Sequence, residues 1–245
     1  MAELGFTIVV MAFVVAIFGV IASLVGAKLQ REWVITSSYI AVAVQFFFVT
    51  LAISLLITAL ATLDFSVNYV AMNTSRSTPL YYRLTGLWGA LEGSILLWEW
   101  ILTLFSALLI VLYRKHHRDL LPYVVTILLS ISGFFLLVMA FVAPPFARVS
   151  PLPLDGRGLN PLLEDTNMFS HPPIMYTGFV GMTIPYAFAM AALIIGKLDE
   201  RWIVTTRRWT IVGWFFLTMG NLIGGWWSYH VLGWGGYWAW DPVEN

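Results

Sequence analysis

The sequence predicts an all-α polytopic integral membrane protein with about six transmembrane helices. Three observations predict it. Uncharged stretches of the roughly 20 residues that a helix needs to cross a bilayer core recur along the 245-residue chain. Only 11% of the residues are charged and 60% are hydrophobic, whereas about a quarter of a soluble domain is charged. The short alternating segments of a membrane β-barrel do not occur. Backbone polar groups in lipid must be satisfied within the segment itself, which leaves the helix.

The first expected span, Gly5–Ala27, lacks a basic leader and an A-x-A-like cleavage site, so it reads as a retained span rather than a signal peptide. The second, third and fourth are Thr36–Thr62, Trp88–Tyr113 and Pro122–Val142. The fifth, Pro173–Gly196, is entered through two prolines, and the sixth is Trp209–Leu232. No internal repeat or soluble insert is visible, so residues 1–245 read as one transmembrane domain.

Orientation follows from the basic residues of the loops. The loops after spans one, three and five hold nine: Lys28, Arg31, Arg114, Lys115, Arg118, Lys197, Arg201, Arg207 and Arg208. Those after spans two and four hold four, Arg76, Arg83, Arg148 and Arg157. This bias places the N-terminus, the longer loops 63–87 and 143–172, and the C-terminal end 233–245 outside. Long loops in compact proteins usually carry function. His116 and His117 sit in the basic loop Arg114–Arg118 and read as part of a solvated topology signal.

Thirteen basic residues balance thirteen acidic ones, so nothing points to nucleic acid. Cysteine is absent, which excludes disulfides, thiolate metal sites and a cysteine nucleophile. No Walker motif, nucleophile elbow or GxGxxG is present.

The densest signal closes the chain. Trp234, Trp238 and Trp240 fall within seven residues, interleaved with Gly235, Gly236 and Tyr237 and followed by Asp241-Pro242. Tryptophans gather at membrane interfaces, so an aromatic belt is one reading. A belt needs no Gly-Gly for close backbone approach and no Asp-Pro turn. Indoles beside glycine would instead form a flat apolar platform for a planar macrocycle. Glu92 and Glu99 are ionisable groups at membrane depth, which makes each a functional candidate; for Glu92 a structural hydrogen bond is expected.

The run Trp234-Gly-Gly-Tyr-Trp-Ala-Trp-Asp241 resembles the WWD signature of the haem-handling proteins of cytochrome c maturation. Its continuation Pro242-Val-Glu-Asn245 is similar to the CcmF-type cytochrome c haem lyase subunits. Two further stretches, Trp88-Gly-Ala-Leu-Glu-Gly-Ser-Ile-Leu-Leu-Trp98 and Leu159-Asn-Pro-Leu-Leu-Glu-Asp165 with His171-Pro-Pro, resemble that family in the same order. The resemblance implies a haem site built from Trp234, Gly235, Gly236, Tyr237, Trp238, Trp240 and Asp241, with His171 as an axial ligand of the iron. It implies covalent thioether attachment of haem b to Cys-x-x-Cys-His segments of apocytochrome c. It also implies a CcmE-type haem chaperone and CcmH/CcmI-type subunits as partners, and the bacterial cytoplasmic membrane as location, with the active face periplasmic. The alternative is a haem exporter or delivery protein that does not catalyse attachment.

No ligand role carries over to His230, which could line the pocket or hydrogen-bond at the interface. Arg76, Arg83, Arg148 and Arg157 are the outer-side candidates for haem propionates, since a guanidinium pairs bidentately with carboxylate. Family members run more than twice this length. A second axial histidine and the ligands of a transmembrane haem b are therefore expected beyond Asn245, whether the chain is shortened or one subunit of a split protein.

Overall fold

The computed structural model describes residues 1–197, 200–233 and 235–240. Its regular elements are helical: α1 Ala2–Leu29, α2 Glu32–Thr62, α3 Asn68–Asn73, α4 Leu80–Thr85, α5 Leu91–Tyr113, α6 Leu121–Phe141, α7 Asn167–Gly181, α8 Thr183–Ile195 and α9 Arg201–Val231. Among the described residues there is no strand, only an isolated antiparallel bridge between Val67 and Arg148.

Five segments are long and apolar enough to cross a membrane: α1, α2, α5, α6, and α7 with α8 together. The sixth expected span is helical within α9 but is not one of the five, because its tryptophans, glycines and Asn221 dilute its apolar residues. The protein is thus a polytopic membrane protein. Large apolar side chains such as Phe47, Val111, Phe134 and Phe141 lie exposed on its flanks, where lipid rather than water is their solvent.

α1, α2, α5 and α6 pack as one group, and α7 and α8 join it to α9. Besides Ile8, Val9 and Ser23, the buried face of α1 is alanine and glycine: Ala2, Gly5, Ala12, Ala16, Gly19, Ala22 and Gly26. Small residues let helix backbones approach where lipid offers no hydrophobic drive for association. One polar chain crosses this core: Gln45 Nε2 donates to Ser132 Oγ at 2.7 Å, and the Ser132 hydroxyl donates to Glu99 Oε1. It joins α2, α6 and α5. Glu99 is completely buried, and its Oε2 has no partner among the described residues.

The fifth span begins earlier than its prolines imply. α7 starts at Asn167, so Pro172, Pro173 and His171 lie inside a helix rather than at the end of a loop. A proline within a helix leaves the carbonyl four residues back without its N–H. For Pro172 that carbonyl is Met168 O, and the Trp88 indole Nε1 donates to it at 2.7 Å. The chain is interrupted again at Met182, just ahead of Pro185, which has no N–H for Gly181 O.

The two longer loops are sewn together at one end of the bundle. Asn68 N donates to Ala147 O at 2.7 Å, Arg157 N to Ala71 O at 2.8 Å, and Gly158 N to Thr74 O at 3.0 Å. The Asp155 carboxylate accepts from Arg76 N at 2.9 Å and Gly156 N at 2.7 Å, and the Arg76 amide holds that carboxyl below its usual range. The loop 63–87 contains the short helices α3 and α4. At the opposite end, His117 is tied in rather than solvated: its Nε2 lies 2.9 Å from Thr205 Oγ1, and its ring packs on Tyr113 and Phe188.

Candidate functional site

The Trp88–Trp98 stretch is a brace for α7. Tyr69, buried in the loop above, donates its hydroxyl to Gly86 O at 2.8 Å and accepts from Ala90 N at 3.2 Å. That hydroxyl fixes the 3-10 turn Gly86–Trp88 on the first turn of α5. Ser94 Oγ donates to Trp88 O at 3.1 Å and accepts from the Tyr176 hydroxyl of α7 at 3.3 Å. One turn further on, Trp98 packs edge-on to Tyr176 and stacks on Phe179. Trp88, Ser94 and Trp98 therefore grip α7 at three levels.

Gly93 is needed for that turn. A Cβ there would stand 1.9 Å from Leu87 O and 2.4 Å from Tyr69 Oη. Since Leu87 O belongs to the backbone, Gly93→Ala must move the turn itself, an overpacking cost of about 1–3 kcal/mol. The thermal unfolding midpoint of the detergent-purified protein should fall; an unchanged midpoint would show that the turn has room. Glu92 makes no hydrogen bond among the described residues, contrary to expectation. It sits in the first turn of α5, where the helix dipole favours a carboxylate.

The Leu159–Asp165 stretch supplies caps. Asn160 Oδ1 accepts from Leu162 N at 3.0 Å, and Asp165 Oδ1 accepts from Asn167 N at 2.7 Å, opening α7. Leu159 is buried, close against Gly89.

His171 projects from α7 onto α9. Its Nδ1 lies 2.9 Å from Gly220 O. A carbonyl only accepts, so in the neutral ring Nδ1 carries the proton and Nε2 carries the lone pair. The ring fits over Gly224, where a Cβ would stand 2.5 Å from its Cε1. Trp227 stacks against it, with centroids 6.0 Å apart and planes at 20°. The Trp227 indole Nε1 is buried without a partner among the described residues. Gly178 and Gly220 let the helices close beneath: a Cβ on either would meet backbone, Leu217 N at 2.5 Å or Met175 Cα at 2.9 Å.

The tryptophan-rich end folds back on the same turns of α9. Ser228 Oγ donates to Gly236 O at 3.3 Å, Tyr237 stacks on Tyr229 at 4.6 Å and 11°, and Gly225 faces the Tyr237 backbone. Gly235 has φ +68°, with open space around it, so its absent side chain serves the backbone conformation rather than a close approach. The indoles of Trp238 and Trp240 meet edge to face, 6.4 Å apart at 77°, and both are exposed. The stacked pair here is thus Tyr237 of the loop on Tyr229 of α9, and the expected flat stack of indoles is absent between Trp238 and Trp240. Trp234 and Asp241 lie outside the described residues. His171 and residues 235–240 therefore meet one stretch of α9, Gly220–Tyr229, at the end of the bundle that carries both long loops.

His230 is exposed against the edge of Trp226. Of the four outer arginines, Arg83 is engaged by the carbonyls of Thr78, Arg76 and Ala61, and Arg148 pairs with Glu3 at 3.2 Å. Arg76 and Arg157 are exposed and form no ion pair among the described residues, whereas Arg148, also exposed, has its pair with Glu3. Residue reading noted Trp227 only as a neighbour of the tryptophan-rich end and missed Gly220 and Gly224. The spacing Gly213, Gly220, Gly224 on one helix face was the signal available for the two glycines.

The profile of the family described as cytochrome C assembly protein matches residues 88–245. The cytochrome c-type biogenesis proteins CcmF of Haemophilus influenzae and Pseudomonas aeruginosa are 39% and 42% identical, over 100% and 99% of this chain. A solved structure named Cytochrome c Heme Lyase CcmF is 38% identical and matches over 100% of the chain with a TM-score of 0.87. The chain spans 38% and 37% of the two relatives and 39% of the solved chain. The matched stretch opens on Trp88, whose indole holds Met168, and runs through His171 to the tryptophan-rich end, so the chain belongs to the cytochrome c assembly protein family, among its CcmF-type members.

Proposed function

We propose that this chain forms one wall of a haem-binding site that serves cytochrome c maturation, with His171 Nε2 coordinating the iron and residues 234–241 covering the macrocycle. The observation that carries the reading is the seat of His171. Its Nδ1–H is held by Gly220 O, the arrangement by which proteins usually fix the tautomer and orientation of a metal-binding imidazole. The Trp227 Nε1 beside it, without a partner among the described residues, is a donor available to a ligand acceptor.

Haem is the substrate in this reading. Each client thiol adds across a vinyl group, sulfur to the carbon next to the ring and hydrogen to the terminal carbon, with no leaving group. The protein then needs no nucleophile, in keeping with its lack of cysteine. Its own residues bind and orient, a contribution of up to roughly 7–11 kcal/mol in well-placed intramolecular reactions. Arg76 and Arg157, exposed and without an ion pair among the described residues, are the cations offered to the propionates. A CcmE-type chaperone would deliver haem, and CcmH/CcmI-type subunits would present apocytochrome c. The nine-to-four split of basic residues supports an N-terminus and site on the periplasmic face of the bacterial cytoplasmic membrane.

The test is haem itself. Protein purified after haem-replete expression should show a Soret band, and added apocytochrome with its partner subunits should become covalently haem-loaded. Colourless protein would sink the site. A Soret band with no covalent transfer would favour haem delivery.

A further inference from the structure

A second feature lies at the other end of the bundle, where α2 leaves the membrane and α5 enters the basic loop. A groove of about 510 Å³ runs between the two helices and opens on the flank of the protein. Its mouth carries Arg114, Lys115 and Arg118 against one acid, Glu32. Among the described residues Glu32 pairs only with Arg118, at 3.7 Å, with both side chains more than two-thirds exposed, and such a pair neutralises little. Arg114 and Lys115 have no ion pair among the described residues, whereas the neighbouring Lys197 is paired with Asp119 at 2.6 Å. Below the mouth the walls turn apolar: Ile40 and Ala43 on α2, Ala107 and Val111 on α5, with Tyr39 also lining the groove. Ile40 and Val111 are exposed to the surroundings of the bundle.

We propose that this groove binds one anionic phospholipid, its phosphate among Arg114, Lys115 and Arg118 and its acyl chains along Ile40, Ala43, Ala107 and Val111. Charge complementarity selects the occupant: basic pockets between transmembrane helices take acidic headgroups. The apolar floor selects a lipid over a free phosphate, for which the cations alone would suffice. Trp33, largely exposed one turn away on α2, marks the headgroup level of the same leaflet.

The test is lipid retention. The detergent-purified protein is analysed by native mass spectrometry for bound phosphatidylglycerol, with phosphatidylethanolamine as the neutral reference. Each charge removed in the triple variant Arg114→Gln, Lys115→Gln, Arg118→Gln should weaken phosphatidylglycerol binding roughly fivefold. The pair Arg207→Gln, Arg208→Gln, basic positions outside the groove, should leave it unchanged. Ala43→Phe, at an exposed position on the groove wall, should displace the lipid while leaving weak binding of inorganic phosphate intact. The proposal is overturned if the triple variant keeps its phosphatidylglycerol, or if the control pair loses as much. Full lipid binding in Ala43→Phe would likewise overturn it, by showing that only surface charge is at work.

Discussion

Replacing His171 by glycine should remove the Soret band of the purified protein and reduce the yield of mature c-type cytochrome to near background, while the protein still inserts and folds. Loss of a hydrogen bond that merely supports a metal ligand costs roughly 10–100-fold in affinity, and loss of the ligand should exceed that. The substitution also opens a space shaped like imidazole above Gly224 and beside Trp227. Added imidazole should enter it, bond Gly220 O through its N–H and restore part of the yield. A structural role for His171 predicts a different pattern: a lower melting point, with no rescue by a small molecule that cannot repair the chain. Cytochrome haem staining in cells, with and without imidazole, separates the two. Undiminished yield would remove His171 from the site.

The contrast between what the sequence discloses and what it hides is sharpest around that histidine. The spans were legible because a bilayer demands long apolar runs; α5 and α6 lie within three residues of their expected ends. The start of α7 was not legible. Pro172-Pro173 reads as a helix entrance, because a proline is best tolerated in a first turn. In the fold the carbonyl left bare by Pro172 is satisfied by Trp88, which lies 80 residues away in the chain. No local rule contains that partner. The same holds for Glu99: its depth marked it, but Ser132, which donates to it from α6, and Gln45, which donates to Ser132 from α2, are ordinary residues in sequence.

The WWD end shows the reverse case. Its composition advertised a site and its resemblance named a chemistry, yet its local geometry was misjudged. Gly235 was read as room for a close neighbour, and the fold uses it for a positive φ. The indoles were read as a stack, and Trp238 meets Trp240 edge to face, the arrangement favoured by the ring quadrupoles. Motifs report which side chains matter; the α9 wall that gathers them is set by glycine spacing and helix approach.

That wall supports the sharper experiment. Gly224→Ala should cost haem binding and cytochrome maturation roughly 100-fold, although His171 is still present. The added Cβ would stand 2.5 Å from the imidazole Cε1 and 2.8 Å from Nδ1, well inside contact distance. The ring must shift by about an ångström and leave its 2.9 Å bond to Gly220 O. Misplacement on that scale costs about 10²-fold in a reaction governed by orientation. The sign on stability is opposite. Alanine is better than glycine in a helix interior by about 1 kcal/mol, and the atom it meets is the end of a movable side chain, so the melting point should hold or rise. Full haem binding in Gly224→Ala would show that the iron does not depend on an imidazole seated on α9. Loss of both haem and stability would point to collapse of the α7–α9 seam, which Gly220→Ala, colliding with the Met175 backbone, should reproduce. Haem lost at undiminished stability, by contrast, is an outcome that only a ligand-positioning role for Gly224 produces.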